Sequence, residues 1–157
     1  MTAVGMPRVR HARPVDLSHV ALLAAEHAAY ENAAQPPADL PRRLEALLFG
    51  SAAGRLRCFV AELGDGGIIG YASCAPEVST WGGAEYLHMD CLFLRERYRG
   101  LGVGRMLVDA VLDEARALGL DQVQWQTPPW NKDAIRFYDR LGAQAKEKRR
   151  YFLPVQR

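Results

Sequence analysis

Three glycines within five positions, Gly100, Gly102 and Gly104, run straight into a segment where Val103, Met106, Leu107, Ala110, Val111, Ala115 and Leu118 recur at helical spacing. The stretch before them, EYLHMDCLFL, reads as a strand, so the glycines must turn a strand into the start of a long helix. Glycine loses more backbone freedom on folding than any other residue, so three at one corner need a physical reason. A helix start supplies one. Its first backbone N–H groups have no partner inside the helix, and its dipole favours an anion. Without Cβ atoms in the way, a diphosphate can approach those donors closely. The dipole contributes about 0.3–1 kcal/mol, whereas each hydrogen bond to a charged group contributes roughly 1.5–3 kcal/mol. The amides therefore dominate any phosphate grip at this corner.

The familiar phosphate loops do not match. A dinucleotide fingerprint G-x-G-x-x-G would need glycine at Arg105 or Leu107, and the chain contains no G-x-x-x-x-G-K-S/T string. What stands here is Arg-x-x-Gly-x-Gly, on Arg99, Gly102 and Gly104. A glycine-rich turn that binds nothing is the competing reading.

The rest of the chain sorts into alternating elements. Residues 9–13 read as a short strand, followed by a helix that Asp16 caps, with Leu17, Val20, Leu23 and Ala24 on one face. Pro36, Pro37 and Pro41 end that helix, and a second covers residues 42–49. RCFVAEL and GIIGYASCA read as strands joined by the hairpin signal GDGG. After the long helix stops at Gly119, QVQWQT reads as a strand, a short helix ends at Gly142, and the tail AQAKEKRRYFLPV reads as a final strand or hairpin. This order predicts a mixed α/β layered fold, as one domain over residues 1–157.

Composition narrows the partners. A net charge of +2 is too small to imply nucleic acid. The basic end, with Lys146, Lys148, Arg149, Arg150 and Arg157, reads as a solvated or edge-strand face without interleaved aromatics. The three cysteines, Cys58, Cys74 and Cys91, form no CxxC pair, which argues against a disulfide framework or a zinc site and suits a reducing cytoplasm. No metal is expected. MTAVGMPRVRHARP lacks the apolar run of a secretion signal, and no segment approaches the roughly 20 apolar residues of a membrane span. The expectation is a soluble, cytoplasmic protein without a membrane or nucleic-acid partner.

YRGLGVGRML followed by PPWNKDAIRFYDRLGA resembles the acetyl-CoA-binding core of the GNAT superfamily of N-acetyltransferases. The superfamily signature R/Q-x-x-G-x-G/A matches Arg99, Gly102 and Gly104, and its downstream Asn with Phe-Tyr matches Asn131, Phe137 and Tyr138. The resemblance is specific over residues 85–143. Within the superfamily it is closest to the diamine and spermidine/spermine acetyltransferases, whose Tyr-Glu after the first helix is similar to Tyr30-Glu31. It implies a mixed, mostly antiparallel central sheet with a splayed strand pair, flanked by helices. It also implies acetyl-CoA as co-substrate, an amine that attacks the thioester directly, and a homodimer.

The resemblance assigns roles residue by residue. Backbone groups of Leu92 and Leu94 pair with the pantetheine arm, and a strand N–H near Leu92 stabilises the oxyanion. Arg99 and the backbone N–H groups of Gly100, Gly102, Gly104 and Arg105 hold the pyrophosphate. Asn131 caps the last helix and reaches the cofactor. Asp90, nine residues before Arg99, stands where the polyamine enzymes carry a glutamate base. One methylene shorter, it works through a water or attracts the substrate cation. Glu85 and Glu31 are rival carboxylates, and His88 shares the face of Asp90. Tyr138 protonates the leaving thiolate, its ordinary pKa near 10 suiting that step. Cys91 as a nucleophile has no histidine partner placed by sequence. Tyr30, Glu31, Trp81, Glu85 and Asp90 would form an acidic, aromatic site for a small cationic amine. Cys91 stands where the polyamine enzymes carry a second carboxylate, so polyamines, lysine-like molecules and other amines all remain open as acceptors. A protein amino group as acceptor and a non-catalytic acyl-CoA sensor are the alternatives; a sensor would need neither Tyr138 nor a carboxylate at Asp90.

Overall fold

The computed structural model describes residues 5–51 and 54–157. They fall into two compact units, the larger ending at Gln126 and the smaller running from Thr127 to Arg157.

In the larger unit, five strands among the described residues form one sheet in the order β1 (Arg8–His11), β2 (Arg57–Glu62), β3 (Ile68–Ser79), β4 (Ala84–Leu94), β5 (Val123–Gln124). The first four pair antiparallel and β5 joins β4 in parallel, which is the mixed, mostly antiparallel sheet expected from the sequence. Helix α3 (Val103–Ala117) covers one face, while α1 (Leu17–Tyr30) and α2 (Leu40–Phe49) cover the other. The helical stripe read from the sequence explains the first layer. Val103, Leu107, Val111 and Ala115 are buried against Ala72, Leu87 and Met89. On the opposite face, Val20 and Leu23 of α1 meet Val60, Tyr71 and Phe93. Each large aliphatic buried this way contributes roughly 1.5–3 kcal/mol.

Three local expectations are revised. Asp16 does not cap α1: a 3₁₀ turn, Pro14–Asp16, precedes the helix, and the carboxylate turns back to Arg10. Arg10 Nη1 and Nη2 donate to its two oxygens at 2.7 and 3.0 Å, and the Arg13 N–H donates at 2.7 Å. A bidentate guanidinium outcompetes a neutral amide for the same carboxylate, and it holds the Asp16 carboxyl below the usual carboxylate range. Pro41, expected to break a helix, instead lies in the first turn of α2, where its missing N–H costs nothing. The strand read over QVQWQT shortens to the two residues of β5.

The smaller unit holds α4 (Lys132–Arg140). Asn131 caps it as expected, its side-chain oxygen accepting the Ala134 N–H at 3.4 Å. The tail over residues 143–157 contains no strand or helix, against the expected final strand or hairpin. Tyr151, Phe152, Leu153 and Val155 are exposed there. An extended segment without a ladder partner has no backbone bonds of its own, and the lysines and arginines before it favour hydration.

Candidate active site

Strand β4 carries the site, and a single extra residue shapes it. Ser73 pairs with Cys91 and Cys74 pairs with Met89, so Asp90 bulges without a partner opposite it. The bulge reverses the alternation of the strand. Leu87 and Met89 before it, and Leu92 and Leu94 after it, all pack toward α3, whereas Cys91 and Phe93 pack toward α1. The Asp90 side chain is 60% exposed, with Oδ1 3.7 Å from His88 Nε2 on the shared face.

The second half of β4 has an open edge. Pairing with β5 involves only Leu87 and His88. Farther along, the Arg95 N–H donates to the Ile69 carbonyl at 3.0 Å. Antiparallel bonding alternates, so Phe93 and Cys91 also turn their backbone groups toward β3, and Leu92 and Leu94 turn theirs away. Among the described residues no strand pairs with that side of β4 beyond His88. This is the splayed pair implied by the resemblance.

At the end of that edge the chain makes its glycine corner. Gly100 and Gly102 have φ of +78° and +87°, and a Cβ at either would meet nothing within 4 Å. These glycines are therefore required by backbone conformation, which costs an L-residue roughly 1–2 kcal/mol, and not by lack of room. The first bond inside α3 runs from the Met106 N–H to the Gly102 carbonyl at 3.2 Å. The amides of Val103, Gly104 and Arg105 precede it, and no side chain caps the helix start. The open edge thus leads into a row of uncommitted helix-start donors. The side chain of Arg99 acts as a strut: Nε donates to the Leu94 carbonyl at 2.7 Å, and the guanidinium stands 5.1 Å from the Tyr30 ring centroid and 5.6 Å from that of Phe93. Arg105 Nε binds Asp109 Oδ1 at 3.1 Å.

On the α1 face a run of polar groups reaches Asp90. The Cys91 thiol donates to Asp90 Oδ2 at 3.6 Å. Burial pushes this thiol up to about 11, with the Asp90 charge adding to the effect, so it is a donor at neutral pH and no nucleophile. Tyr71 reaches the same sulfur, and its hydroxyl lies 3.1 Å from His27 Nδ1. His27 Nε2 in turn meets the Glu31 carboxylate. Sequence reading missed His27; its i, i+4 spacing to Glu31 on an amphipathic helix was the available signal.

Of the remaining expected residues, Trp81 and Glu85 belong to the larger unit. Trp81 is fully exposed in the turn between β3 and β4. Glu85 is the second residue of β4, on the face of Leu87 and opposite to His88, about 17 Å along the strand from Asp90 at the usual rise per residue. Asn131 and Tyr138 belong to α4 of the smaller unit, where the Phe137 and Tyr138 ring centroids are 5.5 Å apart. Among the described residues no group of His, Cys, Asp and Glu is arranged to hold a metal, and no helix is long and apolar enough to cross a membrane.

Comparisons with known proteins point the same way as this geometry. The model of the acetyltransferase (GNAT) family matches residues 21–143. An L-ornithine N5-acetyltransferase of Arabidopsis thaliana is 34% identical over 53% of this chain, and the match spans only 36% of that enzyme's length. A thialysine N-epsilon-acetyltransferase of Bos taurus is 28% identical over 87% of this chain and 83% of its own. The solved structure of a Trypanosoma brucei acetyltransferase superposes with a TM-score of 0.71 at 22% identity, covering 95% of this chain and 99% of that one.

Proposed function

Because the chain belongs to the acetyltransferase (GNAT) family, we propose that it transfers the acetyl group of acetyl-CoA to a primary amine on a small, cationic, amino-acid-like molecule. The observation that carries this reading is the open edge of β4 leading into the uncapped amides of α3. The donor set fits coenzyme A: Leu92 and Leu94 offer ladder-type groups to the amide-rich arm, and the amides of Val103, Gly104 and Arg105 suit a diphosphate. Gly100 and Gly102 keep that approach clear.

The chemistry asks two proton steps of the chain. An ammonium must lose a proton before it can attack, and Asp90, exposed on its bulge, accepts it directly or through a water. As the nitrogen–carbon bond forms and the carbon–sulfur bond breaks, Tyr138 gives its proton to the leaving thiolate. The relatives named for ornithine and thialysine act on side-chain amines of amino acids, and Cys91 replaces the second carboxylate of the polyamine enzymes. Both support an acceptor resembling ornithine or lysine over a polyamine.

Release of free thiol from acetyl-CoA, followed across ornithine, lysine, thialysine, spermidine, D-amino acids and a short peptide, tests this. Amino acids bearing a side-chain amine should turn over fastest. Release no faster than in the amine-free blank for every acceptor would end the proposal. Tyr138→Phe should lower kcat roughly 100-fold, the scale of a lost general acid, with coenzyme A affinity nearly intact. Unchanged turnover would remove Tyr138 from that role.

A further inference from the structure

We infer that His27 is a positioning residue for Asp90, acting through Tyr71 and Cys91. The inference rests on the reading of Asp90 as the proton acceptor. His27 is fixed on three sides. Its ring stacks on Phe93 with centroids 5.1 Å apart and planes 18° from parallel. Its Nε2 meets Glu31, and its Nδ1 lies 3.1 Å from the Tyr71 hydroxyl. Tyr71, only 4% exposed, contacts the Cys91 sulfur, which the Ser73 hydroxyl also reaches, and the Cys91 thiol reaches Asp90 Oδ2 at 3.6 Å. The chain of contacts therefore runs unbroken from α1 through β3 to the bulge of β4.

Counting hydrogens gives that chain a direction. A carboxylate only accepts, so His27 Nε2 carries a hydrogen toward Glu31. The hydroxyl and the thiol have one hydrogen each. If Tyr71 spends its hydrogen on Nδ1, its oxygen competes with Asp90 for the thiol hydrogen. If the hydroxyl instead turns its hydrogen to the sulfur, the thiol hydrogen is left to Asp90. The contact from Cys91 to Asp90 runs from thiol to carboxylate in either case. It holds Oδ2 and keeps Oδ1 on the side of His88, where an incoming ammonium would be met.

The test combines turnover with a signature of the thiol itself. Tyr71→Phe and His27→Phe, both ring-preserving, should each lower kcat about tenfold, within the scale of a misplaced base, at unchanged KM for acetyl-CoA. The double variant should lose no more than either alone, because both break one chain. Cys91→Ala should fall to the same level, and Cys91→Ser, which restores a donor, should recover most of the loss. The S–H infrared stretch assigned to Cys91, by difference from Cys91→Ala, should shift in His27→Phe while those of Cys58 and Cys74 stay put. Glu31→Gln should lower kcat and leave the amine KM alone; a raised amine KM at unchanged kcat would put Glu31 on the substrate and overturn the chain at its first link. Multiplying losses in the double variant, or an unmoved Cys91 band, would overturn it as well. If the unaltered protein releases no thiol with any amine, the acetyl-transfer reading fails, and the infrared band still decides the hydrogen-bond chain.

Discussion

On the α3 face of the sheet, Leu87, Met89, Leu107 and Val111 meet among other apolar side chains. On the α1 face, Val60, Leu23 and Phe93 are buried as deeply, yet Tyr71 sits among them, with Cys91 packed alongside and His27 stacked on Phe93. The same strands build both faces, so the contrast arises from alternation along β3 and β4 and from the bulge at Asp90. The apolar face has only packing to satisfy. The other must also bind every polar atom it buries, and no buried side-chain nitrogen or oxygen among the described residues lacks a hydrogen-bond partner. A protein can thus brace an exposed carboxylate by giving one face over to dispersion and threading hydrogen bonds through the other.

That contrast can be broken by substitution. Leu107→Ala, at a fully buried position on α3, should cost about 3 kcal/mol of stability through lost burial and the cavity left behind. Denaturant unfolding measures it, and a loss well under 1 kcal/mol would mean that the apolar face is loosely packed. Gly102→Glu acts where α3 begins. It should weaken coenzyme A binding by at least about 100-fold, since a carboxylate then competes for the helix-start amides. Its stability cost should stay near 1 kcal/mol, the penalty of a left-handed L-residue. Normal affinity by calorimetry would move the diphosphate anchor elsewhere. Tyr71→Phe, on the polar face, should cost far less stability than Leu107→Ala, about 1 kcal/mol for one hydroxyl removed from a buried network, while affecting turnover more than either fold or cofactor binding. A cost matching that of Leu107→Ala would erase the distinction between the faces.

Legibility in the sequence followed the range of the interactions. The periodic residues of α3, the glycine corner and the Asn131 cap were readable because each depends on neighbours within about four positions. The hairpin GDGG was readable for the same reason. Asp16 misled because its carboxylate chose between a local amide and Arg10, and the charge-assisted pair won. Glu31 and Glu85 looked equivalent as free carboxylates in a string of letters. In the fold Glu31 meets His27, whereas Glu85 faces away from Asp90 at the far end of β4. The tail suggested a strand by composition alone, and composition supplies no ladder partner.

Residue order alone was enough for the layered α/β class and for the glycine corner that opens α3, because helix periodicity and positive-φ glycines are properties of adjacent residues. The aim of Asp90, the open edge at Leu92 and Leu94, and the link from His27 to Cys91 arose from folding in three dimensions. Each depends on how β4 registers against β3, where β5 stops pairing, and how α1 lies across both, and those contacts join residues far apart along the chain.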